Sequence, residues 1–118
     1  MRISIGAQGL SLTEALRQHI TRRLDHALKR RRLWVQHVEV HLGDMNGPRG
    51  GVDKSCLVMV KTTRLPVVVI RDLGADLYAV IDRAADRVGK TVDRRIAQRL
   101  RVKRSFGMRL ESRAQLDA

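Results

Sequence analysis

Aromatic residues are nearly missing from the chain. Trp34, Tyr78 and Phe106 are the only ones among 118 residues. Proteins that read single-stranded bases stack them on aromatic platforms, so this scarcity leaves phosphate and shape as the features of a nucleic acid to recognise. A single cysteine, Cys56, excludes an internal disulfide, and a reducing cytoplasm is the expected home. No apolar run approaches the roughly 18 residues of a spanning helix, so no membrane partner of that kind is expected. The opening segment MRISIGAQGLSLTEALRQ has no continuous apolar core of the signal-peptide kind, and Glu14 interrupts it early.

Chemistry is equally sparse. There is no phosphate-binding loop, nucleotide fingerprint or serine nucleophile elbow. No catalytic residue, cofactor or small-molecule substrate is expected. His37, Glu39 and His41 fall on one face of a strand, a trio of metal-ligand types, but they read as a solvated face and no metal is expected. Cys56 lacks a His or Asp partner in sequence and reads as a small core residue.

Basic charge is abundant. The chain has 24 Lys and Arg against 12 Asp and Glu, a net charge of +12. An excess of that size repels itself in a compact state and points to a polyanionic partner. With 43% hydrophobic and 31% charged residues, the chain fits one soluble domain with one core.

Residues 1–7 alternate, with Met1, Ile3, Ile5 and Ala7 on one face, the pattern of a half-buried strand. Gly9 breaks it. Ser11 and Glu14 read as a capping box opening a helix, and Leu12, Leu16, Ile20, Leu24 and Leu28 recur at helical spacing to about Arg31. A second strand is expected over Trp34–Leu42. The Gly-, Asn- and Pro-rich segment 43–53 is then a hairpin loop, with Arg49 a candidate contact. Two strands follow at about 55–62 and 65–71 with a tight turn near Thr63–Arg64, and Pro66 means that the last one either lies at a sheet edge or starts there. Asp76 caps a helix from Leu77 to about Leu100, and residues 101–118 read as a frayed, basic C-terminal tail. The expected fold is α+β, β-α-β-β-β-α, with two helices on one face of a four-stranded sheet.

At 100° per residue, Arg83, Arg87, Lys90 and Arg94 fall within roughly 60° of one another, beside the apolar stripe of the last helix. Asp82, Asp86 and Asp93 occupy a separate sector. In the first helix Arg22, Arg23, His26, Lys29 and Arg30 cluster away from Leu16, Ile20 and Leu24. Like charges three or four apart destabilise an isolated helix by about 0.2–0.5 kcal/mol per pair, so a partner must compensate. Two such ridges on neighbouring helices are expected to line one cationic groove for nucleic acid, held by forked arginine–phosphate contacts.

The segments TEALRQHITRRL (13–24) and DLYAVID (76–82), with this element order, resemble the hibernation-promoting factor and protein Y family over roughly residues 1–100. That resemblance implies a bacterial, cytoplasmic stress- and stationary-phase factor. It would bind small-subunit ribosomal RNA, occupy the channel used by transfer and messenger RNA, and so stop translation by steric exclusion. Family positions carry over to Arg23, Lys29, Arg87, Lys90 and Arg94, and they add Arg95, which lies toward the apolar stripe. The family's extra dimerisation domain has no counterpart here, so the short form is expected.

Apolar residues also occur on the second sheet face. Leu57, Met59, Val68 and Ile70 are expected to form an open patch, a candidate surface for homodimerisation, unless the tail covers it through Phe106, Met108 and Leu110. Two rival readings remain: a generic double-stranded RNA-binding module, though those begin with a helix, and an interaction protein using the apolar sheet face.

Overall fold

A computed structural model describes residues 1–45 and 52–117, with side chains described through Arg104. Strand β1 (Arg2–Gln8) leads through helix α1 (Glu14–Ala27) and a 3-10 segment (Lys29–Trp34) into β2 (Val35–Asp44). Strands β3 (Lys54–Thr62) and β4 (Val68–Gly74) follow, and helix α2 (Leu77–Asp117) closes the chain. The sheet order is β1-β2-β3-β4, with β1 parallel to β2 and the other pairs antiparallel. The expected β-α-β-β-β-α order is therefore the one found, in a mixed sheet. Arg49 lies outside the described residues, as do the side chains of Phe106, Met108 and Leu110.

Local chemistry sets the joints. Gly9 ends β1 at φ 80, where an added Cβ would collide with the Asp44 carbonyl, so only glycine fits. The helix opens two residues later than a Ser11–Glu14 box predicts: Thr13 is the N-cap, and its Oγ1 accepts from the Leu16 N–H at 3.2 Å. α1 ends at Ala27 rather than near Arg31. The run Lys29–Arg32 places like charges side by side, and Arg31 departs from helical geometry at φ −117, ψ 24. The β3–β4 turn sits where expected, with Arg64 left-handed at φ 65. Two ion pairs hold the base of the β2–β3 hairpin: Lys54 Nζ lies 3.2 Å from Asp44 and 3.1 Å from Asp53. α2 does not fray near Leu100 but continues unbroken to Asp117.

Both helices cover one sheet face, as the 3.6- and 2-residue periods require. Leu16, Ile20 and Leu24 of α1 and Val80, Ile81, Ala84, Val88, Val92 and Ile96 of α2 are buried against Val38, Val40, Val58 and Val60. Burying a side chain of this size contributes about 1.5–3 kcal/mol. Cys56 belongs to this core, and burial, aided by the charge of Asp72, pushes its thiol up to about 12. Such a thiol is inert as a nucleophile.

Registry decides what the other face carries. Met59 pairs with Val69 and Leu57 with Arg71, so these residues share the open face with His37, Glu39 and His41. Val68 pairs with Val60 and is 1% exposed, and Ile70 packs against the core. The expected patch is corrected accordingly: Leu57 and Met59 are joined on the open face by Val69 and Leu73, not by Val68 and Ile70.

Candidate nucleic-acid interface

The outer surface of the helical layer is built by the two helices running side by side. Gly89 permits their close approach, since a Cβ there would lie 2.6 Å from the Ala27 carbonyl oxygen. The acidic sector of α2 faces α1. Asp82 accepts from His19 Nε2 at 2.7 Å and lies 3.1 Å from Arg23 Nε. Asp93 accepts from Arg31 Nε at 2.7 Å, with Arg30 at 3.8 Å. The Arg31 hydrogen bond, reinforced by the Arg31 and Arg30 charges, holds the Asp93 carboxyl below its ordinary value. His19 also packs edge-on against Tyr78, at 4.8 Å between ring centroids.

The two basic ridges share a groove, but it is not purely cationic. A seam of carboxylates runs between them, and the groove of about 270 Å³ is lined by His26, Arg30, Arg31, Asp86, Lys90 and Asp93. Arg23 and Arg30 are engaged with that seam. Arg31 and His19 supply its shortest contacts, both at 2.7 Å, and Arg31 escapes a helical wheel because the chain has left α-helical geometry there.

On the far side of α2 the ridge divides. Arg87 Nη1 donates to the Arg71 carbonyl at 2.9 Å, and Arg83 Nη2 donates to the Leu73 carbonyl at 3.1 Å. Both also lie near Asp72, at 3.6 and 3.4 Å. These arginines cap the outer edge of β4, which would otherwise offer free carbonyls to a passing strand. Both stay half exposed, at 53% and 52% of their side chains. Lys90 is 76% exposed and pairs only with its helical neighbour Asp86 at 3.1 Å. Among the described residues no carboxylate lies within ion-pair distance of Arg22, Lys29, Arg94 or Arg95. Exposed basic side chains thus flank the seam, with Arg22, His26, Lys29 and the 82% exposed Arg30 on one side and Lys90, Arg94 and the half-exposed Arg83 and Arg87 on the other.

Elsewhere, Glu39 lies 3.6 Å from His37 Nε2 and 3.5 Å from His41 Nε2. No group of three potential ligands converges on a metal position among the described residues. No described helix is long and apolar enough to cross a membrane.

Fold and charge layout define a small basic α+β protein whose helical layer is its charged face. The chain belongs to the family described as sigma 54 modulation protein / S30EA ribosomal protein, whose model matches residues 3–100. This is the family of ribosome hibernation and modulation factors to which residues 13–24 and 76–82 already pointed. Two solved structures share the fold. A ribosomal subunit interface protein from Coxiella burnetii is 18% identical with a TM-score of 0.70, covering 82% of this chain and 99% of that one. The N-terminal domain of Thermus thermophilus Protein Y is 28% identical with a TM-score of 0.64, covering 79% of this chain and 93% of that one. No curated protein sequence matches significantly.

Proposed function

We propose that this protein is a non-enzymatic ribosome hibernation factor that docks its helical layer on small-subunit ribosomal RNA in the decoding channel and excludes transfer and messenger RNA. The carrying observation is the set of exposed cations on one layer, Arg22, Lys29, Lys90 and Arg94, with His26 beside them, in a chain of this family. Each phosphate neutralised releases counterions, so affinity falls by about 0.7–0.9 log units per log unit of salt per contact. The carboxylate seam holds the two helices together and repels phosphates that approach between the ridges. Contact is thereby directed to the flanks, and the blocked channel needs no bond made or broken. The cytoplasm is the compartment in which such a complex forms.

Co-sedimentation with purified ribosomes, followed by competition with transfer RNA on the small subunit, tests this reading. Wild-type protein is expected to travel with the small subunit and to displace transfer RNA, while the Arg87→Ala/Lys90→Ala/Arg94→Ala variant stays at the top of the gradient. Wild-type protein left at the top at low salt overturns the reading. Association without displacement removes the decoding channel as its site.

A further inference from the structure

Helix α2 outlasts the sheet that holds it. Among the described side chains Ile96 is its last fully buried one, yet the helix runs on to Asp117. Between residues 94 and 104, RRIAQRLRVKR, it carries Arg94, Arg95, Arg99, Arg101, Lys103 and Arg104 and no carboxylate. All six are exposed, and none has an ion-pair partner among the described residues. Arg95 and Arg99, and Arg99 and Lys103, stand four apart, a spacing at which like charges oppose the helix. Little core packing offsets that repulsion past Ile96, so a polyanion is the natural counterweight.

The angular distribution of these charges tells what kind of polyanion. Over residues 77–93 the cations of α2 keep to one sector, suited to a phosphate surface on one side. Counting 100° per residue from Leu77, the later cations fall at about 260°, 0°, 40°, 240°, 80° and 180°. They surround the helix. An interfacial membrane helix needs a broad apolar face, and between residues 97 and 104 only Ala97, half-buried Leu100 and exposed Val102 are apolar. All-round cations match a cleft with phosphates on several walls, as folded RNA provides. At the root of the arm, Leu65, Pro66, Val102, Arg95, Gln98 and Arg99 together line an open hollow of about 600 Å³. Apolar side chains beside guanidinium groups suit an unstacked base and its phosphate.

We propose that α2 beyond the sheet is a second RNA-binding element, a cationic arm that enters a phosphate-walled cleft of folded ribosomal RNA. The identity of the RNA rests on the reading above, but the arm is tested on Arg99, Arg101, Lys103 and Arg104, which the helical layer does not use. The test employs the full chain and an arm variant, Arg99→Gln/Arg101→Gln/Lys103→Gln/Arg104→Gln, because glutamine keeps helix propensity. Binding to deproteinised small-subunit ribosomal RNA, to poly(U) and to phosphatidylglycerol vesicles is measured against salt, beside a Lys90→Ala/Arg94→Ala variant. The arm variant should keep its helical circular dichroism, lose at least tenfold affinity for the folded RNA, and show a salt slope shallower by about 3, as four lost contacts require. Its loss on poly(U) should be smaller. Wild-type affinity and slope in the arm variant, with both reduced in Lys90→Ala/Arg94→Ala, overturn the arm and leave the helical-layer reading standing. Equal losses on poly(U) and folded RNA overturn the cleft. Loss confined to vesicles makes the arm a membrane element instead, and a wild-type chain that ignores ribosomal RNA overturns both readings.

Discussion

Arg31 Nε donates a 2.7 Å hydrogen bond to Asp93 Oδ1, tying the 3-10 segment after α1 to the middle of α2. The bond holds the Asp93 carboxyl below its ordinary value of 3.8 in the folded state. A depressed carboxylate adds stability that is present above the unfolded value and is lost as pH falls through the folded one. Urea denaturation across pH should therefore show wild type more stable than Arg31→Gln above pH 3.8, with the gap closing as pH falls below it. Identical profiles would show that the pair is not coupled to folding.

Gly89 offers a test of sign. Inside a helix, replacing glycine by alanine ordinarily stabilises by about 0.5–1 kcal/mol. Here the new Cβ would meet the Ala27 carbonyl oxygen at 2.6 Å and the Ala27 Cβ at 3.0 Å, and backbone cannot swing aside as a flexible side chain can. Gly89→Ala should therefore destabilise by about 1–3 kcal/mol, the usual cost of overpacking. A thermal melt reads this directly, and a raised midpoint would show that α1 and α2 separate freely.

Cys56 should resist thiol reagents until the protein unfolds, because burial holds its proton up to about 12. The sign follows from linkage. Between the ordinary 9.0 and about 12 the unfolded chain has lost the thiol proton while the folded one keeps it. Stability contributed by the thiol is thus full below the first value and declines as pH rises through the second, by about 1.4 kcal/mol per pH unit. Lysine and tyrosine titrate there too, so the difference between wild-type and Cys56→Ala profiles isolates the thiol. Parallel profiles would place it in contact with water.

The sequence pattern carries the element order and the basic ridge because both follow fixed periods. It does not carry the phase of β4. Val67–Ile70 is apolar at every position, so alternation cannot say which residues face the helices, and only pairing with β3 does. Nor does it tell which flank of α2 faces α1. Acidic and basic sectors both border the apolar stripe, and the partners that choose between them, His19 and Arg31, are distant in sequence. The corrected phase predicts that Val68→Ala costs about 2 kcal/mol, as a buried truncation does. Val69→Ala should stay within about 0.5 kcal/mol. Reversed costs in urea denaturation would restore the original assignment of the patch.

The ridge itself should separate into two kinds of cation. Among the described residues Lys90 and Arg94 make no hydrogen bond or ion pair with the sheet, so their joint replacement by alanine should weaken ribosome association while leaving the melting temperature near wild type. Arg83 and Arg87 also hold the Leu73 and Arg71 carbonyls at the β4 edge. Their joint replacement frees those groups and uncovers a strand edge, with a loss of about 1 kcal/mol or more of stability. Self-association by edge pairing should then grow with concentration. Light scattering and melting curves on the two double variants decide the matter. Equal stability and a monomeric mass for both would mean that the edge contacts carry no weight and that all four cations serve the RNA alone.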